Sequence, residues 1–101
     1  MKNVTVDGVV YAPVETGDIR IAVLQRGWVV VGHYSCDGDE CRILSGAVIR
    51  VWGTTNGLPE IAENGPLQNT VLDKCSGEIR FHRGAEILTL SCNKEKWALA
   101  L

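Results

Sequence analysis

The sequence predicts a mainly β fold, a small antiparallel barrel or sandwich with one short helix around residues 58–63. Three observations lead to this prediction. Short runs rich in valine and isoleucine alternate with polar residues, glycine-containing turns separate these runs, and the segment around Pro59 has helical character. A chain of 101 residues with 46% hydrophobic and 22% charged residues is typical of one globular domain, so we expect residues 1–101 to fold as a single unit.

The N-terminal part of the chain is predicted to form hairpins. Asp7-Gly8 is a strong signal for a two-residue hairpin turn, and Gln25–Gly27 is typical of a turn between two strands. In the run that precedes this second turn, isoleucine and valine alternate with other residues, as in a strand that buries one face. The predicted strands are Val4–Val6, Val9–Tyr11, Ile19–Leu24 and residues 28–34.

The remaining strands are predicted at residues 41–44, 47–52, 78–82 and 85–92. Asp37-Gly38 is predicted to form the turn before the first of them. Ser45-Gly46 is predicted to separate the strand at residues 41–44 from the strand at residues 47–52, because glycine weakens a strand. Residues 67–76 are predicted to be irregular, and for residues 94–101 a short helix and a further strand are both open.

The predicted helix at residues 58–63 follows a loop rich in small polar residues. Pro59 fits the first turn of a helix, where the missing N–H has no partner to lose. Thr55 and Asn56 are both candidates for the N-cap, and the sequence does not choose between them. Asn64-Gly65-Pro66 predicts the end of the helix.

Charge and hydropathy exclude several classes of partner. The net charge of −2 argues against a duplex nucleic-acid-binding protein, which normally carries a basic excess. The longest apolar run, residues 28–31, is far too short to cross a bilayer, so no membrane partner is expected. No apolar signal-peptide core follows Met1, and we therefore expect a soluble protein of the cytoplasm.

The side chains that could support catalysis or bind a metal do not form a known motif. Neither His33 nor His82 lies in a catalytic signature, so a non-enzymatic role is expected, with a small hydrolase that pairs Cys75 or Ser76 with His82 as the alternative. The four cysteines, at Cys36, Cys41, Cys75 and Cys92, lack the spacing of a typical zinc site. Reduced thiols without metal or cofactor are the expectation. A Cys36–Cys41 contact across the hairpin is the open alternative.

The strongest functional signal is the junction between the strand at residues 47–52 and the helix. There Arg50 and Trp52 lead into a Gly/Thr/Asn loop, and a second arginine–aromatic pair, Arg26 and Trp28, opens an earlier strand. Indole rings can stack on a base, while guanidinium groups and loop amides can hold phosphate. The predicted ligand-binding residues are Arg26, Trp28, Arg50, Trp52, Gly53, Thr54, Thr55 and Asn56. Either tryptophan taken alone is expected to be a core residue, and the alternative to the site is that both are core residues and residues 54–57 form only a polar turn.

The chain resembles a group of small proteins encoded by tailed bacteriophages. The resemblance lies in three runs, residues 24–32 (LQRGWVVVG), 48–62 and 69–73 (NTVLD). Most members of that group have no assigned role. In size, β character and content of arginine, aromatic and threonine residues, the chain is also similar to phage sponge proteins. Those are small non-enzymatic oligomers that sequester the nucleotide signals of bacterial immunity.

This resemblance implies a homo-oligomer of the host cytoplasm that binds a small nucleotide ligand, such as a cyclic dinucleotide or a cyclic ADP-ribose isomer. Tight binding without turnover agrees with the missing catalytic signature. A site shared between copies would let a short chain enclose a ligand that a single copy could only touch. The alternative is a phage accessory module that binds a host protein through an exposed edge strand.

Overall fold

The computed structural model describes residues 4–6, 9–11 and 17–101. Within these residues the fold is mainly β, as the sequence predicts. The elements in chain order are β1 (Val4–Val6), β2 (Val9–Tyr11), β3 (Ile19–Leu24), β4 (Val29–Asp37), β5 (Glu40–Val51), α1 (Leu58–Asn64), β6 (Val71–Lys74), β7 (Ile79–His82), β8 (Glu86–Ser91) and α2 (Lys94–Ala98). The predicted strands β1 and β2 pair with each other, and the predicted Asp7-Gly8 turn lies outside the described residues.

The other six strands form one antiparallel sheet with the order β6-β5-β4-β3-β8. The long strand β5 pairs along one edge with β4. Its other edge is shared, because residues 40–43 pair with β7 while residues 47–51 pair with β6. Strand β8 pairs with β3 at the opposite side of the sheet.

The predicted break at Ser45-Gly46 is wrong, because β5 runs through this site as a single strand with a bulge. The β4–β5 pairing shifts here, from Val31 opposite Ala47 to His33 opposite Leu44. Ser45 takes a positive φ of 49°, which a β-bulge can accommodate. Position 46 requires glycine because the backbones of β4 and β5 approach closely there. A Cβ on Gly46 would lie 2.6 Å from the Val31 carbonyl oxygen.

Residues 67–76 are not irregular throughout, since they include strand β6. Leu72 lies opposite Ile49 of β5, and Asp73 lies opposite Val48. β6 is short and has two charged residues, so apolar and polar residues hardly alternate along it. The strand is therefore recognised from its pairing with β5 and not from its sequence. At the C-terminus, the helix alternative is confirmed: α2 begins after Asn93, whose side chain accepts a hydrogen bond from the Lys96 N–H at 3.2 Å.

The sheet carries apolar residues on both faces. We call the face covered by α1 and α2 the helix-covered face, and the other the opposite face. The core of the first is formed by Ile19, Ile21, Val29, Val31, Ala47, Ile49, Leu58, Ile61, Ala62 and Trp97. The core of the second is formed by Ala22, Leu24, Val30 and Ile43, with Tyr34, Val48, Ile79 and Phe81 packed against them. Among the described residues, no helix has the length and apolar character that crossing a bilayer requires.

Candidate functional site

The structure brings Trp28 and Arg50 to the same end of the sheet. Val30 pairs with Val48, so Trp28, two residues before Val30, and Arg50, two residues after Val48, lie towards the same end of the sheet. The Arg50 side chain reaches Asp73, which pairs with Val48, a residue that packs on the opposite face. Trp52 follows the last residue of β5. We call Trp28, Arg50 and Trp52 the aromatic corner.

Both indoles of the aromatic corner are exposed, which contradicts the alternative that they are core residues. The exposed fraction is 57% for Trp28 and 43% for Trp52. Arg26 lies two residues before Trp28, in the exposed turn Gln25–Gly27, with φ 66° and ψ 22°. The predicted tryptophans and arginines thus lie at one end of the sheet, open to solvent.

Arg50 is paired with a carboxylate that the sequence analysis did not single out. Its Nε donates to both carboxylate oxygens of Asp73, at 3.0 and 3.3 Å. The side chains are 64% and 50% exposed. Such an exposed ion pair contributes on the order of 0–1 kcal/mol, so an anionic ligand could replace the Asp73 carboxylate at small cost.

The loop after Trp52 is fixed by the chain segment before β6. Gly53 has a φ of +66° and packs so closely that a Cβ would lie 2.3 Å from the carbonyl carbon of Asn69. The Thr70 hydroxyl donates to the Trp52 carbonyl at 2.7 Å and accepts from the Leu67 N–H at 2.9 Å. Thr70 is therefore a positioning residue that the sequence analysis missed, because its role depends on a contact between distant segments.

The predicted N-caps Thr55 and Asn56 are wrong: Gly57 precedes α1, with a φ of 87° and no side-chain cap. Both residues instead bind Glu60 in the first turn. The Thr55 N–H donates to Glu60 Oε1 at 3.0 Å, and the Asn56 amide donates to Oε2 at 3.1 Å. Two donors predicted to face a ligand are therefore occupied by a carboxylate. Thr54 is half-buried in the same loop.

A second polar cluster lies on the opposite face, away from the aromatic corner. The Tyr34 hydroxyl donates to Glu86 Oε1 at 2.5 Å, and the Arg20 guanidinium lies 5.0 Å from the Tyr34 ring centre. Burial raises the pKa of Tyr34, and the hydrogen bond to Glu86 and its charge add to this, while Arg83 and Arg20 oppose it. The hydroxyl therefore stays protonated at neutral pH.

Cys36 and Cys41 form a disulfide beside this cluster, so the expectation of reduced thiols is wrong for these two and the alternative of a contact across the hairpin is confirmed. The two residues are directly opposite in the β4–β5 register, with Cα atoms 4.0 Å apart. Their paired sulfurs are not thiolates and cannot serve as zinc ligands. Within the described part of the chain, no group of three or more His, Cys, Asp or Glu side chains is placed to hold a metal ion.

The pairing considered for a hydrolase is not assembled. The Cys75 N–H donates to the Gly46 carbonyl, whereas His82 lies opposite Glu40. These two positions are six residues apart on β5, which separates Cys75 from His82 by roughly 15–20 Å at the usual rise of a strand. His82 instead lines a cleft of about 310 Å³ at the tip of the β4–β5 hairpin, together with Asp39, Glu40, Arg80 and Phe81.

Cys92 is expected to make the fold less stable at alkaline pH. Burial raises the pKa of its thiol from 9.0 to about 12. The Cys92 thiol therefore holds its proton more tightly in the folded state than in the unfolded state. The contribution of this proton to the free energy of unfolding is complete below about pH 9 and is lost as the pH rises towards 12. Urea unfolding between pH 8 and about 11 should show a steeper loss of stability for the native sequence than for Cys92→Ala. Equal slopes would contradict this.

Searches with this chain found no matching family model, no matching curated protein and no matching solved structure.

Proposed function

We propose that this protein is a non-enzymatic binding protein that holds a flat, anionic ligand of the nucleotide class at the aromatic corner. The observation that carries the proposal is the exposure of two indoles, 57% for Trp28 and 43% for Trp52, at the end of the sheet where Arg50 lies. Large aromatic side chains left in water at one place are typical of a binding surface. Combined with a guanidinium, they favour a ligand that has both rings and negative charge.

The contacts at such a site supply part of the free energy that tight binding needs. Base–aromatic stacking contributes about 1–3 kcal/mol per base, so two indoles can supply several kcal/mol. Charge-assisted hydrogen bonds from Arg50 and Arg26 to phosphate would add to this. Nanomolar affinity needs a binding free energy of about −12 kcal/mol. A second copy of the chain closing over the ligand would bury more of the ligand's surface and bring the binding free energy closer to that value.

The loop at residues 54–56 is proposed to contribute less to phosphate binding than the arginines do. Glu60 already accepts the hydrogen bonds that the Thr55 N–H and the Asn56 amide could give to a phosphate. A ligand phosphate near the loop would be repelled by the Glu60 carboxylate unless that side chain turned away. The arginines are therefore proposed as the main phosphate contacts, with Gly53 and Thr54 shaping the junction.

As a biological role we propose sequestration of a nucleotide signal of bacterial immunity, as a phage anti-defence sponge acting as a homo-oligomer in the host cytoplasm. A sponge must bind and release its ligand unchanged. It acts by mass action, so it must exceed the ligand in concentration and bind it well below the signalling threshold. This role requires no metal, cofactor or general base.

Calorimetric titration with cyclic dinucleotides and cyclic ADP-ribose isomers tests the proposal. We expect saturable heat with one class of ligand, and a stabilisation of about 2.7 kcal/mol when free ligand is 100 times the dissociation constant. Trp52→Ala and Trp28→Ala should each weaken binding by at least about fivefold. Leu99→Ala, which removes a 91% exposed side chain beyond α2, is the matched control and should leave binding unchanged. Absence of heat and of a thermal shift with every ligand would contradict the proposal.

Replacing Glu60 with glutamine is expected to tighten binding of the anionic ligand by about three- to tenfold, because it removes the negative charge from the loop donors of Thr55 and Asn56. The same calorimetric titration measures this. The control is Glu40→Gln, which changes the net charge equally but lies at the other end of β5. Equal effects of the two variants would show that only overall charge matters.

A second candidate function is favoured by the free edge of β8. Among the described strands, β8 pairs with β3 alone, and Ile87 and Leu88 on it are 62% and 47% exposed. Residues 87–92 carry no charge that would block strand addition. A host protein could add a strand here, as expected of a phage accessory module. Stoichiometric capture of one host protein, abolished by Leu88→Lys, with no small molecule released on denaturation, would favour this function.

A further inference from the structure

We propose that the Cys36–Cys41 disulfide is a thiol–disulfide exchange site, at which a dithiol reductant attacks Cys36 Sγ and Cys41 leaves. This site is separate from the proposed binding function. The disulfide lies at the turn that joins β4 to β5, whereas Arg50 lies near the other end of β5.

The two sulfurs differ in access. Cys41 is fully buried, with no exposed surface, while Cys36 is half-buried. An exchange reaction requires a thiolate to reach one sulfur of the disulfide directly. Access therefore selects Cys36 as the sulfur that forms the mixed disulfide and Cys41 as the leaving group.

The surroundings can stabilise the sulfur that leaves. The Tyr34 hydroxyl oxygen lies 3.0 Å from Cys36 Sγ and 3.9 Å from Cys41 Sγ. In the disulfide state the hydroxyl donates to Glu86, since a disulfide sulfur is a weak acceptor. A Cys41 thiolate is a stronger acceptor within reach of the same donor. The Tyr34 hydroxyl is thus the donor that the structure places within reach of the Cys41 sulfur.

The reaction balances with a dithiol as the reductant. Its first thiolate forms a bond to Cys36 Sγ, and the Cys36–Cys41 bond breaks with its electron pair on Cys41. The second thiolate of the reductant then attacks its own mixed-disulfide sulfur and releases Cys36 as a thiolate. The reductant becomes a cyclic disulfide. The two protons it lost are taken up by the two cysteines, so the protein gains two electrons and two protons.

Opening the bond is expected to loosen the neighbouring connection between β7 and β8 without unfolding the sheet. The Arg83 N–H donates to the Asp39 carbonyl in the hairpin turn at 2.7 Å, and Tyr34 links β4 to Glu86 at the start of β8. The β4–β5 ladder continues beyond the disulfide to the pair Val30 and Val48. Hydrogen exchange should therefore rise at residues 79–86 and remain unchanged at the aromatic corner.

The experiment uses a Cys75→Ser/Cys92→Ser variant, in which Cys36 and Cys41 are the remaining cysteines. The folded variant is treated with dithiothreitol, quenched by alkylation and weighed by mass spectrometry. We expect both Cys36 and Cys41 to be alkylated after reduction. The rate of reduction in the folded protein should lie within about tenfold of the rate in denaturant. With glutathione in place of the dithiol, peptide mapping should place the trapped adduct on Cys36. Tyr34→Phe, which keeps the ring but removes the hydroxyl, should slow exchange by about three- to tenfold.

Two results would overturn the proposal. One is a disulfide that is reduced only when the protein unfolds, seen as a rate that rises more than about a hundredfold with denaturant. The other is a glutathione adduct on Cys41. Should the double variant fail to fold, the native sequence gives the same information, because peptide mapping separates Cys36 and Cys41 from the other two cysteines.

Discussion

Replacing Trp97 with alanine is expected to lower the free energy of unfolding by about 3–5 kcal/mol, the usual cost of removing a large buried aromatic side chain. Trp97 has no exposed surface and packs in the core between the sheet and the helices. Its indole N–H donates to the Ile61 carbonyl at 2.8 Å, which ties α2 to α1. Urea unfolding followed by circular dichroism measures the effect.

Two control variants separate burial from hydrogen bonding. Trp97→Phe keeps most of the apolar volume and removes the N–H, and it should cost about 1–2 kcal/mol. The Ile61 carbonyl keeps a partner in this variant, because it also accepts from the Gly65 N–H at 2.8 Å. Trp52→Ala removes a 43% exposed indole and should change stability by less than about 1 kcal/mol. Equal losses for Trp97→Ala and Trp52→Ala would contradict the assigned core.

The second large effect is expected for Gly53→Ala, at about 2–5 kcal/mol of stability. Alanine at a φ of +66° costs about 1–2 kcal/mol from backbone strain alone. The added Cβ would also meet the backbone of Asn69 and Thr70, at 2.3 Å from one carbonyl carbon and 2.5 Å from the next amide nitrogen. Forced overlap in a packed site adds about 1–3 kcal/mol, because backbone cannot move aside like a flexible side chain. Thermal and urea unfolding both measure the loss.

Gly38→Ala is the matched control for this prediction. Gly38 has a nearly equal φ of +62°, but a Cβ there would meet nothing within 4 Å. Its replacement should therefore show only the backbone cost, about 1–2 kcal/mol. The difference between the two variants isolates the contact between the Trp52–Gly53 junction and the segment before β6. If the two variants lost equal stability, the close packing of Gly53 would be refuted.

Most strands could be predicted because their signal is local. Alternation of isoleucine and valine located β3, and Asp37-Gly38 located the turn between β4 and β5. The strand β6 and the bulge at Ser45 could not be predicted in the same way. Both depend on hydrogen bonds from a partner strand far away in the sequence, which neither local propensity nor periodicity records.

The candidate site was predicted in its residue types but not in its internal partners. Strand-end positions indicated that Trp28 and Trp52 could be left partly open, but each taken alone was expected to be a core residue, and that expectation is wrong because both are exposed. The carboxylates of Asp73 and Glu60 were missed, although they bind Arg50 and the Thr55–Asn56 donors. The sequence does contain a glutamate four residues after Asn56, and a helix-start glutamate that binds back to the preceding loop is a known capping arrangement.

The sequence by itself determined the mainly β class, the position of the short helix and the presence of arginine and indole groups at strand ends, because these follow from composition and short-range periodicity. Only the tertiary structure decided that Trp28 and Arg50 lie at the same end of the sheet, that Cys36 pairs with Cys41, and that Trp97 is the buried tryptophan. The physical reason is the same in each case: side chains become neighbours through strand register and helix packing, and these are set by the burial of the whole core rather than by any one segment.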